Sequence, residues 1–344
     1  MRTCPILLAT LAVLAWPTLA QAKPVCGPKH QRTLAQSGYA RVYVDGGQAR
    51  ACHRGRSRER SFGPASRVLA ARAAGSFVAV QRKTAGGQSL RVYNAYAGKA
   101  LDGWFPHAAR FTALALADNG IAAYVATIPN GRQLVSGTGP EPHDNRIYEG
   151  PPNADPAFVR IAGNVVAWKL DGVTRVQRVD GPADPGGARG STTKGRTRLF
   201  TSGQVEVSAA GAHVSASGAG RRVSLGAALG TCRSAQDCFG LASIRIAGPI
   251  VGIEGSDDPW DTTDFTVLDL TTGTSRTVCR SVIRAVLTAA GNAACSEFYY
   301  GRRIKTEDAI LDEGDDVDPD SLEQRGDQLR WLRAGVERSA PLGP

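Results

Sequence analysis

The chain has 344 residues, a formal net charge of +10, 40 glycines, 19 prolines and one methionine. That length suits one large β domain or two ordinary ones, and 42% hydrophobic residues exclude general disorder. Apolar alternations between Gly, Pro, Asp and Asn are short throughout, which excludes a helical bundle and predicts strands and turns.

The first residues are Met1-Arg2, an apolar run from Ile6 to Trp16, and Thr18-Leu19-Ala20-Gln21-Ala22. A basic start, a short apolar core and an Ala-x-Ala end predict a signal peptide over 1–22, cleaved after Ala22. The run is too short for a spanning helix, which needs about 20 apolar residues. No later stretch approaches that length, so a secreted or extracytoplasmic chain without a transmembrane segment is expected. Cys26 follows Lys23-Pro24-Val25, without the small residue that a lipid anchor needs before its cysteine.

Removing Cys4 with the signal leaves Cys26, Cys52, Cys232, Cys238, Cys279 and Cys295. An even number in an exported chain predicts three disulfides, with about 15 connectivities open. Cys232 and Cys238 enclose a short loop and are the best local pair, Cys26 with Cys52 would pin the N-terminal segment, and Cys279 with Cys295 remain. No zinc-like Cys or His spacing competes.

Charge is uneven. Between Lys23 and Arg110 the only acidic residues are Asp45, Glu59 and Asp102, whereas the chain from Leu241 onward is net acidic. The favoured reading is an arginine-rich solvated surface; the functional alternative is attraction to anionic envelope polymers. Nucleic acid is not expected as the partner of an exported chain.

Six turns share their flanks, as in Gly75-Ser76-Phe77-Val78-Ala79-Val80 and Gly163-Asn164-Val165-Val166-Ala167-Trp168. The others start at Asn119, Gly211, Gly248 and Gly291, and successive starts lie 44, 44, 48, 37 and 43 residues apart. Each reads as a hairpin with a Gly or Asn at the bend. Val92 to Gly98 and Val267 to Gly273 form a second repeated element, 175 residues apart. A unit therefore holds four antiparallel strands, the size of a propeller blade. With a compact extra unit near the start, an all-β single β-propeller of seven blades is predicted. The blades fall near 31–64, 67–103, 110–150, 156–200, 203–238, 241–280 and 281–342, with an acidic loop insertion at 303–327. Six blades or a pair of sandwiches are the alternatives.

The hairpins and the Val267-Leu268-Asp269-Leu270-Thr271-Thr272-Gly273 segment, echoed at Val92 to Gly98, resemble bacterial TolB-like and Trp-Asp-type propeller repeats. The chain is also similar to secreted actinobacterial propellers of no assigned activity. This resemblance implies a propeller fold and a binding role, and it carries over no catalytic residue.

Nucleophile-elbow, zinc-protease, phosphate-loop and dinucleotide patterns are missing. Two acidic segments stand out. Glu254 to Asp264 contains Asp257, Asp258, Trp260 and Asp261, carboxylates beside a ring able to stack on a sugar. Trp104 and His107 are expected on the same face, although Trp104 and Phe105 equally read as plugs of a seam between blades. In the second segment Asp316, Asp318 and Asp320, with Asp327, space oxygens like a calcium loop. Ser321 and Glu323 depart from that pattern, and a solvated acidic insertion is the favoured reading. Calcium is the one cofactor the residues suggest. The expected function is a non-catalytic binding or scaffold module for an envelope protein or glycan. Alternatives are a polysaccharide hydrolase or lyase using paired carboxylates, and a purely structural module.

Overall fold

The computed structural model describes residues 26–101, 110–128, 130–131, 133–137, 146–150, 156–170, 173–179, 196–228, 240–256, 263–298 and 301–342. Apart from one 3-10 turn at Ala65–Arg67, its regular elements are strands.

The strands run in chain order as meanders. The first sheet is β1 (Thr33–Gln36), β2 (Ala40–Asp45), β3 (Gln48–His53) and β4 (Arg60–Pro64). The second is β5 (Val68–Ala74), β6 (Phe77–Thr84), β7 (Gly87–Asn94) and β8 (Lys99–Ala100). The third is β9 (Arg110–Leu116), β10 (Ala122–Thr127), β11 (Gln133–Gly137) and β12 (Arg146–Gly150). Three strands follow, β13 (Ala157–Ala162), β14 (Val165–Leu170) and β15 (Val173–Arg178). The fifth unit is β16 (Thr197–Ser202), β17 (Val205–Ala210), β18 (His213–Gly218) and β19 (Arg221–Ala227). The sixth is β20 (Gly240–Ala247), β21 (Ile250–Ser256), β22 (Thr263–Asp269) and β23 (Ser275–Cys279). The seventh is β24 (Val282–Leu287), β25 (Ala293–Glu297), β26 (Arg303–Thr306) and β27 (Ile310–Glu313). The chain closes with β28 (Val317–Arg325), β29 (Gln328–Arg333) and β30 (Val336–Pro341).

Pairing within every unit is antiparallel, as tight connections between consecutive strands require. Each of the eight chain-sequential units has a glycine in the hairpin between its first two strands: Gly38, Gly75, Gly120, Gly163, Gly203, Gly248, Gly291 and Gly326. Five of these match turns picked from the sequence. The fourth expected turn, at Gly211, instead joins β17 to β18, the second and third strands. Gly203, at φ +56° in the turn from β16 to β17, takes the first-hairpin place. Glu206 interrupts the apolar run after Gly203, so β17 lacks the flank that marks its counterparts.

This shift moves two boundaries: β16 starts at Thr197 and belongs with β17 to β19, so 156–200 and 203–238 are not separate units as divided. The expected last unit, 281–342, is two sheets. Its acidic stretch at 303–327, expected as a loop, contains β26, β27 and the whole of β28. Ile304, Val317 and Leu322 are buried between the acidic residues, and that alternation holds the stretch in strands despite its charge.

Among the described residues, six apolar clusters lie where consecutive sheets stack face to face. Ala40, Val42 and Phe62 of the first sheet meet Ala71, Val78 and Tyr93 of the second. Phe111 and Tyr124 bury against Leu90 and Val92, and Val125 and Val135 against Val166 and Trp168. The second strand of several units is buried on consecutive residues, as in Phe77 to Gln81 and Ala293 to Glu297, because a neighbouring sheet covers each of its faces. Each Val, Ile or Phe so placed stabilises by about 1.5–3 kcal/mol.

Stacking departs from one sheet per unit at one place. Strand β15 pairs edge to edge with β20, Thr174 opposite Ile244 and Arg175 opposite Ser243, making one seven-stranded sheet. The intervening β16–β19 sheet packs its Leu199, Val207 and Ala216 against both halves of it.

Candidate functional site

Where β16, β20, β24 and β28 approach one another, they leave a cavity of about 370 Å³. Lys169 and Thr174 reach it from β14 and β15, Phe200 to Ser202 from β16, Ile244 to Ala247 from β20, Ala285 to Leu287 from β24, and Gln324 from β28. Hydroxyl and amide side chains thus share the lining with Phe200, Ile244, Ile246 and Leu287. Arg245 is fixed at the wall: its Nη2 and Nε donate to Glu254 Oε1 at 2.8 and 3.2 Å, and both side chains are largely buried. That pairing neutralises the guanidinium and leaves Lys169, exposed at its end of β14, as the cation at the rim. Such a lining hydrogen-bonds polar groups of a ligand while covering its apolar face.

A second group of side chains sits at one end of the first two sheets. His53, last residue of β3, is 2% exposed and its Nε2 lies 3.0 Å from Ser76 Oγ. Tyr39 stacks on the imidazole with ring centroids 6.1 Å apart, and Tyr96 meets it edge-on at 5.3 Å. Burial pushes the imidazole below its usual range, and the charge of Arg56 adds to that. Ser76 is fully buried, so the Ser–His contact packs two sheets together and offers no nucleophile to a substrate. Outside it the β3–β4 connection carries Arg54, Arg56 and Arg58, and β4 opens with Arg60, all exposed. Arg56 lies over the Tyr96 ring at 4.2 Å and Arg60 over Tyr93 at 5.9 Å.

Among the expected site residues, Trp104, His107, Asp257, Asp258, Trp260 and Asp261 lie outside the described residues, as do Cys232, Cys238 and residues 1–22, the expected signal peptide. Cys26 is bonded to Cys52 and Cys279 to Cys295, with Cα separations of 6.0 and 6.5 Å, two of the three expected pairs. The acidic residues proposed for calcium are spread along one chain segment. Asp316 Oδ2 accepts from Arg333 Nε at 2.9 Å, a bond that pulls its carboxyl below the usual range. Asp318 Oδ1 accepts from the backbone N–H of Asp320 in β28, and Asp327 lies in the turn to β29. Among the described residues, three potential ligand atoms converge only at Cys279, Cys295 and Glu297, where the sulfurs form the disulfide. Glu254, read as the start of an acidic loop, is in β21 and is taken by Arg245.

Sequence reasoning missed the cavity residues and the arginine–tyrosine stacks. The surplus of basic residues near the start was a signal for the second, but Phe200, Arg245 and Gln324 share no spacing that could have joined them.

The described residues define an all-β protein of serial antiparallel sheets. No family model and no curated protein matches the chain. Among solved structures it is similar to a prolyl endopeptidase, at 14% identity and a TM-score of 0.33, over 89% of this chain and 53% of that one. It thus spans about half the length of that protein. It is also similar to the tricorn protease, at 8% identity and a TM-score of 0.25 over 88% of this chain and 41% of that chain. A further likeness is to Hsv2 of Kluyveromyces lactis, at 11% identity and a TM-score of 0.29, covering 80% and 75% of the two chains. Likenesses at this level leave blade number, activity and partners to be argued from this chain's own residues. Among the described residues no helix is long and apolar enough to cross a membrane.

Proposed function

We propose that the chain is an exported propeller-type protein that acts as a non-catalytic binding module for an envelope glycan or protein. The observation that carries this reading is the cavity at which the first strands of four units converge. Its mixture of Thr174, Thr201, Ser202 and Gln324 with Phe200 and Ile244 suits a ligand with many hydroxyls and one apolar face. Support for the compartment comes from the Cys26–Cys52 and Cys279–Cys295 bonds, which persist in oxidising surroundings, and from the signal-like first 22 residues. The propeller reading is supported by strand meanders of similar length stacked in chain order.

The test is retention of envelope extract, separated into carbohydrate and protein fractions, on the immobilised chain. Phe200→Ala combined with Gln324→Ala is expected to weaken binding of the retained component at least tenfold. Equal retention by this variant sinks the cavity as the site. New reducing ends generated from a retained glycan would make the protein an enzyme instead.

A further inference from the structure

We propose that the β3–β4 connection and the two tyrosines beneath it form a docking surface for an anionic polysaccharide, separate from the cavity. Charge is the first ground. Residues 23–110 hold sixteen basic residues against three acidic ones. Of the acidic residues described there, Glu59 and Asp45 are both engaged. Glu59 Oε1 accepts from Tyr43 Oη at 2.5 Å while its Oε2 faces Arg50 at 3.4 Å. Asp45 accepts from Gln31 at 3.0 Å and lies 3.4 Å from Arg50 Nε. Among the described residues, no carboxylate pairs with Arg54, Arg56, Arg58 or Arg60.

Order is the second ground. Four arginines on a floppy connection would lose much rotamer entropy on binding an anion. Here Arg56 and Arg60 are laid over Tyr96 and Tyr93, and Arg54 is tied at its backbone, donating its N–H to Tyr39 O at 2.7 Å. Two of the four guanidiniums, those of Arg56 and Arg60, thus rest on rings before a ligand arrives. Guanidinium forks engage carboxylate or sulfate oxygens two at a time. Tyr39, 39% exposed beside Arg54, offers a ring on which a pyranose can stack.

Compartment selects the polymer. The Cys26–Cys52 bond is carried by the same strand, β3, that leads into this connection. A disulfide-bonded surface works where anionic polysaccharide is abundant and nucleic acid is not; in this respect alone the proposal rests on the extracytoplasmic reading above.

The probe is polygalacturonate of defined length, with dextran as neutral control and duplex DNA as the competing polyanion, titrated into the full chain at several salt concentrations. Arg56→Ser, Arg58→Ser and Arg60→Ser together are expected to weaken polygalacturonate binding at least tenfold and to flatten its salt dependence. Arg198→Ser, Arg222→Ser and Arg325→Ser remove the same charge from exposed positions elsewhere and are expected to leave affinity within twofold. Equal losses in the two triple variants, or none in the first, would overturn the proposal. So would preference for duplex DNA over polygalacturonate. If the Phe200→Ala, Gln324→Ala variant loses polygalacturonate and the arginine variant keeps it, this proposal fails while the cavity reading stands.

Discussion

Arg41 shows how a charge is buried here with no counter-ion among the described residues. It is 1% exposed, yet its guanidinium donates to the carbonyls of Cys26, Pro28 and Gln31 and to Thr33 Oγ1. Tyr43 lies under it at 5.0 Å. Burial pulls the guanidinium down from its usual range, but four acceptors satisfy its donors. The segment before β1 is thereby fastened to the first sheet twice, by Arg41 and by the Cys26–Cys52 bond. His53 is the other buried polar residue with a consequence in solution. Its folded pKa lies below the unfolded value of about 6.5, so the unfolded chain takes up the proton first as pH falls. Its contribution is therefore complete above about pH 6.5 and is lost below that as pH drops towards the folded pKa. The expected outcome is a lower urea midpoint at pH 5 than at pH 7.5, with the difference reduced in His53→Gln. An unchanged difference in that variant would assign the pH response to other groups.

At the scale of the strand, β21 and β22 show why a small residue interrupts an apolar run. A Cβ on Gly252 would fall 2.7 Å from two ring carbons of Phe265 and 3.1 Å from Leu287. Phe265 is fully buried and packs with Val267 and Cys295, so its ring cannot swing into solvent. Ala at this position gains about 0.4–1 kcal/mol from a stiffer unfolded chain but overpacks the face by about 1–3 kcal/mol. Gly252→Ala is expected to lower the urea midpoint; an unchanged or higher midpoint would show that the facing sheets separate freely. The Gly203 hairpin illustrates the limit of reading such elements from sequence. A positive-φ glycine marks a bend, but Gly203 and Gly211 are both such bends, eight residues apart. Which one opens a unit depends on the sheet packed outside it.

Across the whole molecule, stability is shared between neighbouring sheets as in stacked repeats, where each unit contacts those next to it. The last three strands cover the β24–β27 sheet through Val317, Leu322, Leu329 and Trp331, which bury Ala294 and Ile304. Trp331 Nε1 also donates to Asp312 Oδ2 at 2.7 Å, and Arg333 Nη1 to Asp312 Oδ1 at 2.6 Å, latching the two sheets at their polar edge. A chain ending at Asp315 is expected to lose several kcal/mol and to bind an apolar dye at the uncovered face. A truncated chain with the midpoint of the full one would show that the final sheet is an appendage.

What the sequence determined by itself was local. Period-two alternation and turn residues are properties of a few consecutive positions, and they sufficed for the all-β class and five of the hairpins. They also marked the first 110 residues as strongly basic. Tertiary structure alone decided that β15 and β20 share an edge, that the acidic stretch before Asp327 is strand, and that Arg56 and Arg60 lie over Tyr96 and Tyr93. It also decided that Phe200, Arg245 and Gln324 meet at one cavity. These are contacts between residues tens of positions apart, set by which sheet faces and edges remain to be covered. No residue carries the spacing of its distant partner, so that choice is made only when the sheets pack.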